Sequence, residues 1–267
     1  MKDRVNNKNN KKLINYSRDY RHLNRHFMGY LFQVVFILGG IIAGYLFLYN
    51  KFSYYIAYFT ANIMGKVTGI SAGIREVDFF PKFGGVYCVT MEGKSPSFSL
   101  SIISMIITLI LIVICSQIKT DKKPVMIFIT IGLYIHLISS LFFVFIGAEK
   151  FPYDFDDYSN LYMKQQIIVW LMIMVVYWLS TSLITNVVGL RIVSFLIVAV
   201  LSVLFGIARY LVYLFIIIKC TYIFMAELYF IFGILMDIMI MIGVYSIFMK
   251  KVSTRFRDRM EVKLWKW

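Results

Sequence analysis

Residues 86–117 read VYCVTMEGKSPSFSLSIISMIITLILIVICSQ. The first part alternates apolar and polar residues, as a short half-buried strand does. It then meets a turn at Gly93, Lys94, Ser95 and Pro96, and the turn opens directly into the apolar run 98–118, which carries no charged residue. About 20 apolar residues in a helix cross a hydrocarbon core ~30 Å thick. The stretch therefore joins an aqueous hairpin to a membrane span, and a functional site is expected at its rim.

The same criterion, applied outward, finds six spans: 27–48, 98–118, 125–146, 166–186, 192–218 and 222–249. The chain is 60% hydrophobic and 18% aromatic, with a mean hydropathy of +0.75. That exceeds the ~45–50% apolar content of soluble domains. The predicted class is an all-α integral membrane protein with six transmembrane helices, cytoplasmic N- and C-termini, an outer amphipathic helix and a small β-hairpin. Short alternating strands of an outer-membrane barrel are missing. The first span is too long for a cleaved signal and reads as a retained anchor.

Lys and Arg crowd the tails 1–26 and 250–267, which the positive-inside rule places in the cytoplasm. The net charge of +14 is thereby accounted for by membrane topology, and no nucleic acid is expected as a partner. The segment 52–70 is aromatic, amphipathic and interrupted by Lys66, so it is placed along the outer interface. A hairpin follows outside within 71–97, with strands at 77–80 and 86–91 around a turn at 81–85. Lys119, Lys122 and Lys123 mark an inner loop, and Glu149, Asp154, Asp156 and Asp157 an outer one. The expected domains are a basic tail (1–26), a membrane core (27–187), a further helical hairpin (188–249) and a basic tail (250–267).

Between about residues 30 and 185, the order of parts resembles the exosortase and archaeosortase family of membrane transpeptidases. The resemblance lies in the amphipathic segment ending at Gly69 and Ile70, the outer hairpin, VTMEGKS before a span, the Lys-rich inner loop, and a helix closing with Tyr177 and Trp178. It implies a Cys nucleophile just before the second span, an Arg in the outer part of the next helix, and a His or Arg at the start of the one after. A thiolate needs such cations beside it to lower its pKa. Here the corresponding positions hold Gly93, Ser139 (or Ser140) and Gln165 (or Lys164 or Gln166). The resemblance thus implies a member that kept the plan and lost the Cys/Arg/His set, so no catalytic residue is expected at those positions.

Cys88 lies five residues before Gly93 and is the outside candidate for a displaced nucleophile; its plainer reading is a packed strand residue. Cys88, Cys115 and Cys220 make no metal-ligand spacing and no disulfide framework. Neither a metal nor a cofactor is expected, since no Walker, HExxH, GxSxG or dinucleotide pattern occurs. Ionisable residues inside spans are functional hypotheses by default, and there are four: His136, Arg209, Glu227 and Asp237. Helical rise predicts Arg209 paired with Glu227, and His136 with Asp237, as structural ion pairs. Gly40 with Gly44, and Ser202 with Gly206, offer small-residue contacts for helix packing or a docked partner.

The functional expectation is a non-catalytic, exosortase-like subunit in the cell membrane, the bacterial cytoplasmic membrane being the expected location. It would assemble with or support a cell-surface polysaccharide synthase or export complex. The expected partners are the lipid bilayer and a membrane protein such as a glycosyltransferase, by analogy with systems around the family. The alternatives are an active thiol transpeptidase or protease using Cys88 at the outer face, and a small ion-coupled transporter. Against the transporter stands the absence of repeats or broken helices in the sequence.

Overall fold

A computed structural model describes residues 31–80, 83–117, 123–182, 188–231 and 233–262. Among the described residues, six segments are long and apolar enough to cross a membrane: Val34–Thr68, Phe98–Gln117, Val125–Phe145, Phe155–Ser182, Val188–Cys220 and Tyr222–Thr254. The sheet is a two-stranded antiparallel hairpin. The chain is a multi-pass, all-α membrane protein carrying a small β-hairpin. The basic tail 1–26, the inner-loop Lys119 and Lys122 and the end of the second tail, 263–267, lie outside the described residues.

A π-helical turn, Gln33–Leu38, leads into α1 (Gly39–Thr68). Then come β1 (Gly73–Phe80), β2 (Gly84–Thr90), α2 (Phe98–Gln117), α3 (Lys123–Phe145), α4 (Phe155–Ser182) and α5 (Val188–Cys220). A 3₁₀ turn, Tyr222–Phe224, precedes the short α6 (Met225–Phe230) and the final α7 (Ile234–Val262).

Several boundaries depart from the sequence reading; among them, α4 starts at Phe155 instead of 166, which puts Asp156 and Asp157 in its first turn and not in a loop, and β1 starts at Gly73 instead of 77. Residues 39–48 of the first span and 52–68 of the segment after it lie on one continuous helix, α1, because no Gly or Pro falls between Tyr45 and Met64 to interrupt it. At ~1.5 Å per residue its 30 residues reach about 45 Å, beyond the ~30 Å of hydrocarbon. The last span is broken: helix stops at Phe230 and resumes at Ile234, with Gly233 in a turn between. A Cβ at Gly233 would collide with the Tyr229 carbonyl, so the break depends on glycine.

The chain forms two compact units. One comprises 44–170 and 202–238; the other comprises the described residues within 1–43, 171–201 and 239–267.

In the first unit, Tyr49, Ser53, Ile56, Ala57, Thr60, Ala61 and Met64 are buried along one face of α1 at spacings of three and four. Tyr54, Tyr55 and Tyr58 on the other face are exposed. The hairpin docks on this helix through polar bonds. Tyr49 Oη donates to the Gly84 carbonyl (2.6 Å), Asn50 Nδ2 to the Gly85 carbonyl (2.9 Å), and the Tyr87 amide to Ser53 Oγ (3.2 Å). The turn between the strands needs φ +99° at Gly84, a value glycine adopts without penalty. The register runs from Gly73 opposite Thr90 to Phe80 opposite Gly84, with a bulge between Asp78 and Phe80. Tyr210 of α5 fastens β2 from the other direction: its hydroxyl accepts the Val89 amide (3.0 Å) and bonds Ser159 Oγ (2.5 Å). Tyr162 of α4 stacks on it at 5.1 Å between centroids.

In the second unit, Phe248 and Val252 of α7 pack with Leu190 of α5 and Met249. Trp178 meets Phe195 edge-on at 5.5 Å, and the Arg191 guanidinium lies over the Trp178 ring at 5.8 Å. A cation on an indole face is favourable, more so when desolvated, and Arg191 is buried.

Candidate functional site

The positions matched by resemblance to a nucleophile and its partners converge only in part. A side chain at position 93 would overlap the Tyr222 ring and hydroxyl, so Tyr222 fills the space that a nucleophile's side chain would need. Ser139 Oγ donates to the carbonyl of the adjacent Ile223 (2.7 Å). Both positions therefore close on the 3₁₀ turn Tyr222–Phe224. The third does not join them: Gln165 lies beside Gly233, at the break in the last span.

Cys88 is a packed residue of β2. It is 1% exposed, and its thiol donates to the Arg75 carbonyl across the hairpin (3.6 Å). Burial pushes the thiol up to about 11, the charge of Asp156 adds to the shift, and Arg75 opposes it. The reactive form of a cysteine is the thiolate, and Cys88 holds its proton.

The four ionisable residues of the spans do pair, with partners exchanged relative to the sequence expectation. Arg209 Nη2 bonds Asp237 Oδ2 (2.5 Å), while His136 Nδ1 bonds Glu227 Oε1. The exchange follows from the broken last span. Glu227 sits on the separate α6, which packs on α3 and so faces His136, while Asp237 begins the next helical stretch near Arg209. Arg209 also donates to the Gly233 carbonyl (2.5 Å) and to Gln166 Oε1 (3.2 Å), and Gln166 donates to Asp237 Oδ2 (3.0 Å). The guanidinium thus binds a backbone group released at the break, as discontinuous membrane helices require.

The second pair extends into a chain of hydrogen bonds. His136 Nε2 lies 2.7 Å from Ser104 Oγ of α2, which lies 3.3 Å from Ser140 Oγ. The imidazole stacks on Phe224 at 4.8 Å. Ser104, His136 and Glu227 line a cavity of about 710 Å³ whose remaining wall is largely apolar. Sequence reasoning missed Ser104, although a signal was present: Ser101, Ser104 and Thr108 stand at helical spacing on one stripe of an otherwise apolar span.

The small residues divide. Gly206 packs against the Trp170 ring, and Trp170 Nε1 donates to the Ser202 carbonyl (3.0 Å), so this pair serves contacts within the chain and is no free docking face. Around Gly40 and Gly44 a Cβ would meet nothing within 4 Å. No three or more His, Cys, Asp or Glu side chains gather into a metal-holding group among the described residues. No protein-family model matches the chain, and neither a curated protein nor a solved structure does.

Proposed function

We propose that the chain is an exosortase-like membrane subunit without the family's thiol chemistry, which supports a cell-surface polysaccharide synthase or export complex. The observation that carries the reading is Tyr222 in the space beside Gly93. A side chain from the segment following α5, beyond the reach of the resemblance, occupies the place where a nucleophile would stand. Cys88 supports it by being buried and protonated. The polysaccharide link and a glycosyltransferase partner rest on analogy with systems around the resembled family.

The test is genetic. Deleting the chain is expected to lower surface polysaccharide, and a copy carrying Cys88→Ala is expected to restore it fully. Failure of Cys88→Ala to restore would favour a thiol enzyme. Unchanged polysaccharide in the deletion would remove the proposed role.

A further inference from the structure

We propose that Ser104, His136 and Glu227 form an acyl-ester cleaving site that receives a lipid-type acyl chain in the adjoining cavity. This goes beyond the polysaccharide reading and does not rest on it. Nucleophile–base–acid sets are recognised by geometry and roles, whatever their order in the chain. Ser104 Oγ lies 2.7 Å from His136 Nε2, and Glu227 Oε1 bonds the opposite ring nitrogen, Nδ1. With Nδ1–H donating to the carboxylate, the lone pair of Nε2 faces the serine hydroxyl, the tautomer a general base requires.

The surroundings fit an acyl ester. About 710 Å³ falls within the ~300–1,000 Å³ of small-molecule sites. Leu100, Ile107, Leu111 and Phe128 give the wall an apolar character suited to a hydrocarbon chain. Ser104 is six residues into α2, about 9 Å by helical rise, and so lies well short of the middle of a span. Thr221 lines the same cavity with a buried hydroxyl that has no hydrogen-bond partner among the described residues. It also holds φ +74°, a conformation that is strained for a β-branched residue and characteristic of functional sites. Glu227 is 7% exposed, and its second oxygen, Oε2, is likewise unpartnered among the described residues. A purely structural network would be expected to satisfy these groups.

In the reaction, Ser104 Oγ attacks the ester carbonyl carbon and its proton passes to His136 Nε2. The carbonyl π pair moves onto oxygen, where the hydroxyl of Thr221, on the wall of the same cavity, is the available donor. Return of that pair breaks the ester C–O bond. The departing alkoxide takes the proton from Nε2, leaving acyl-Ser104. A water then gives a proton to Nε2 and attacks the acyl carbon. Ser104 Oγ leaves and recovers the proton, releasing a carboxylic acid.

The experiment is to treat the full-length protein, in native membrane vesicles and in mild detergent, with an alkyl fluorophosphonate, and to map the adduct by peptide mass spectrometry. A single adduct on Ser104 is expected. It should be absent in Ser104→Ala and should form at least about 100-fold more slowly in His136→Gln, the lower range of general-base contributions. Monodispersity checks the folding of each variant, and Glu227→Gln reads the same dependence if His136→Gln fails to fold. No adduct on Ser104 in the unaltered protein, or equal rates with and without the base, would overturn the proposal. Either result leaves the polysaccharide reading where the deletion experiment puts it.

Discussion

At the scale of single residues, two positions carry the argument about thiol chemistry. Position 93 has no side chain, and the space is taken by Tyr222. At position 88 there is a thiol, but burial holds it at about 11. The direction fixes a pH dependence. A raised pKa keeps the neutral thiol through the physiological range, so Cys88 carries very little thiolate at pH 7.5. Alkylation of Cys88 by iodoacetamide is expected to be negligible at pH 7.5 and to climb as pH nears 11, while the exposed Cys220 is labelled first. Rapid labelling of Cys88 at neutral pH would contradict the packed-strand account.

At the scale of elements, the spans and hairpin were legible because length, hydropathy and period-two alternation are local properties. The helix α1 was less so, since Lys66 in an aromatic, amphipathic segment suggested an interfacial piece where only a breaker would have stopped the helix. The ion pairs were misassigned for a related reason. Helical rise measures depth correctly along an unbroken helix, but the last span stops at Phe230 and restarts at Ile234, which turns Glu227 to His136 and Asp237 to Arg209. Ser104 went unread because serine in a membrane helix is common, and only its three-dimensional neighbour, His136, gives it meaning.

The Arg209–Asp237 pair offers an element-scale prediction. Both residues are buried, and removing one partner of such a pair strands the other charge, at a cost of about 3–5 kcal/mol. Asp237→Ala is expected to show that loss in detergent unfolding, and the double variant Arg209→Met with Asp237→Leu to recover only part of it, because the Gly233 carbonyl and Gln166 also lose their guanidinium donor. Full stability in Asp237→Ala, together with the loss of an ion flux, would instead assign the pair and the broken helix to transport.

At the scale of the whole molecule, the sequence announced a six-span membrane protein, and the described residues contain six segments that meet that description. Assembly with other proteins was legible only as analogy, because docking faces are set by the tertiary arrangement. Ser202 and Gly206, which looked available in the sequence, are spent on Trp170 inside the chain. At Gly40 and Gly44 an added Cβ would meet nothing within 4 Å, so these two are not used up by packing inside the chain as Ser202 and Gly206 are.

The central claim is that this chain works as a subunit, without thiol transpeptidation. Its most direct test is purification of the intact protein from its native membrane in gentle detergent, with mass spectrometry of what accompanies it. A membrane glycosyltransferase in stoichiometric amount is expected, with Cys88 unmodified. A protein that emerges alone, or with a peptide joined to Cys88, would contradict the account.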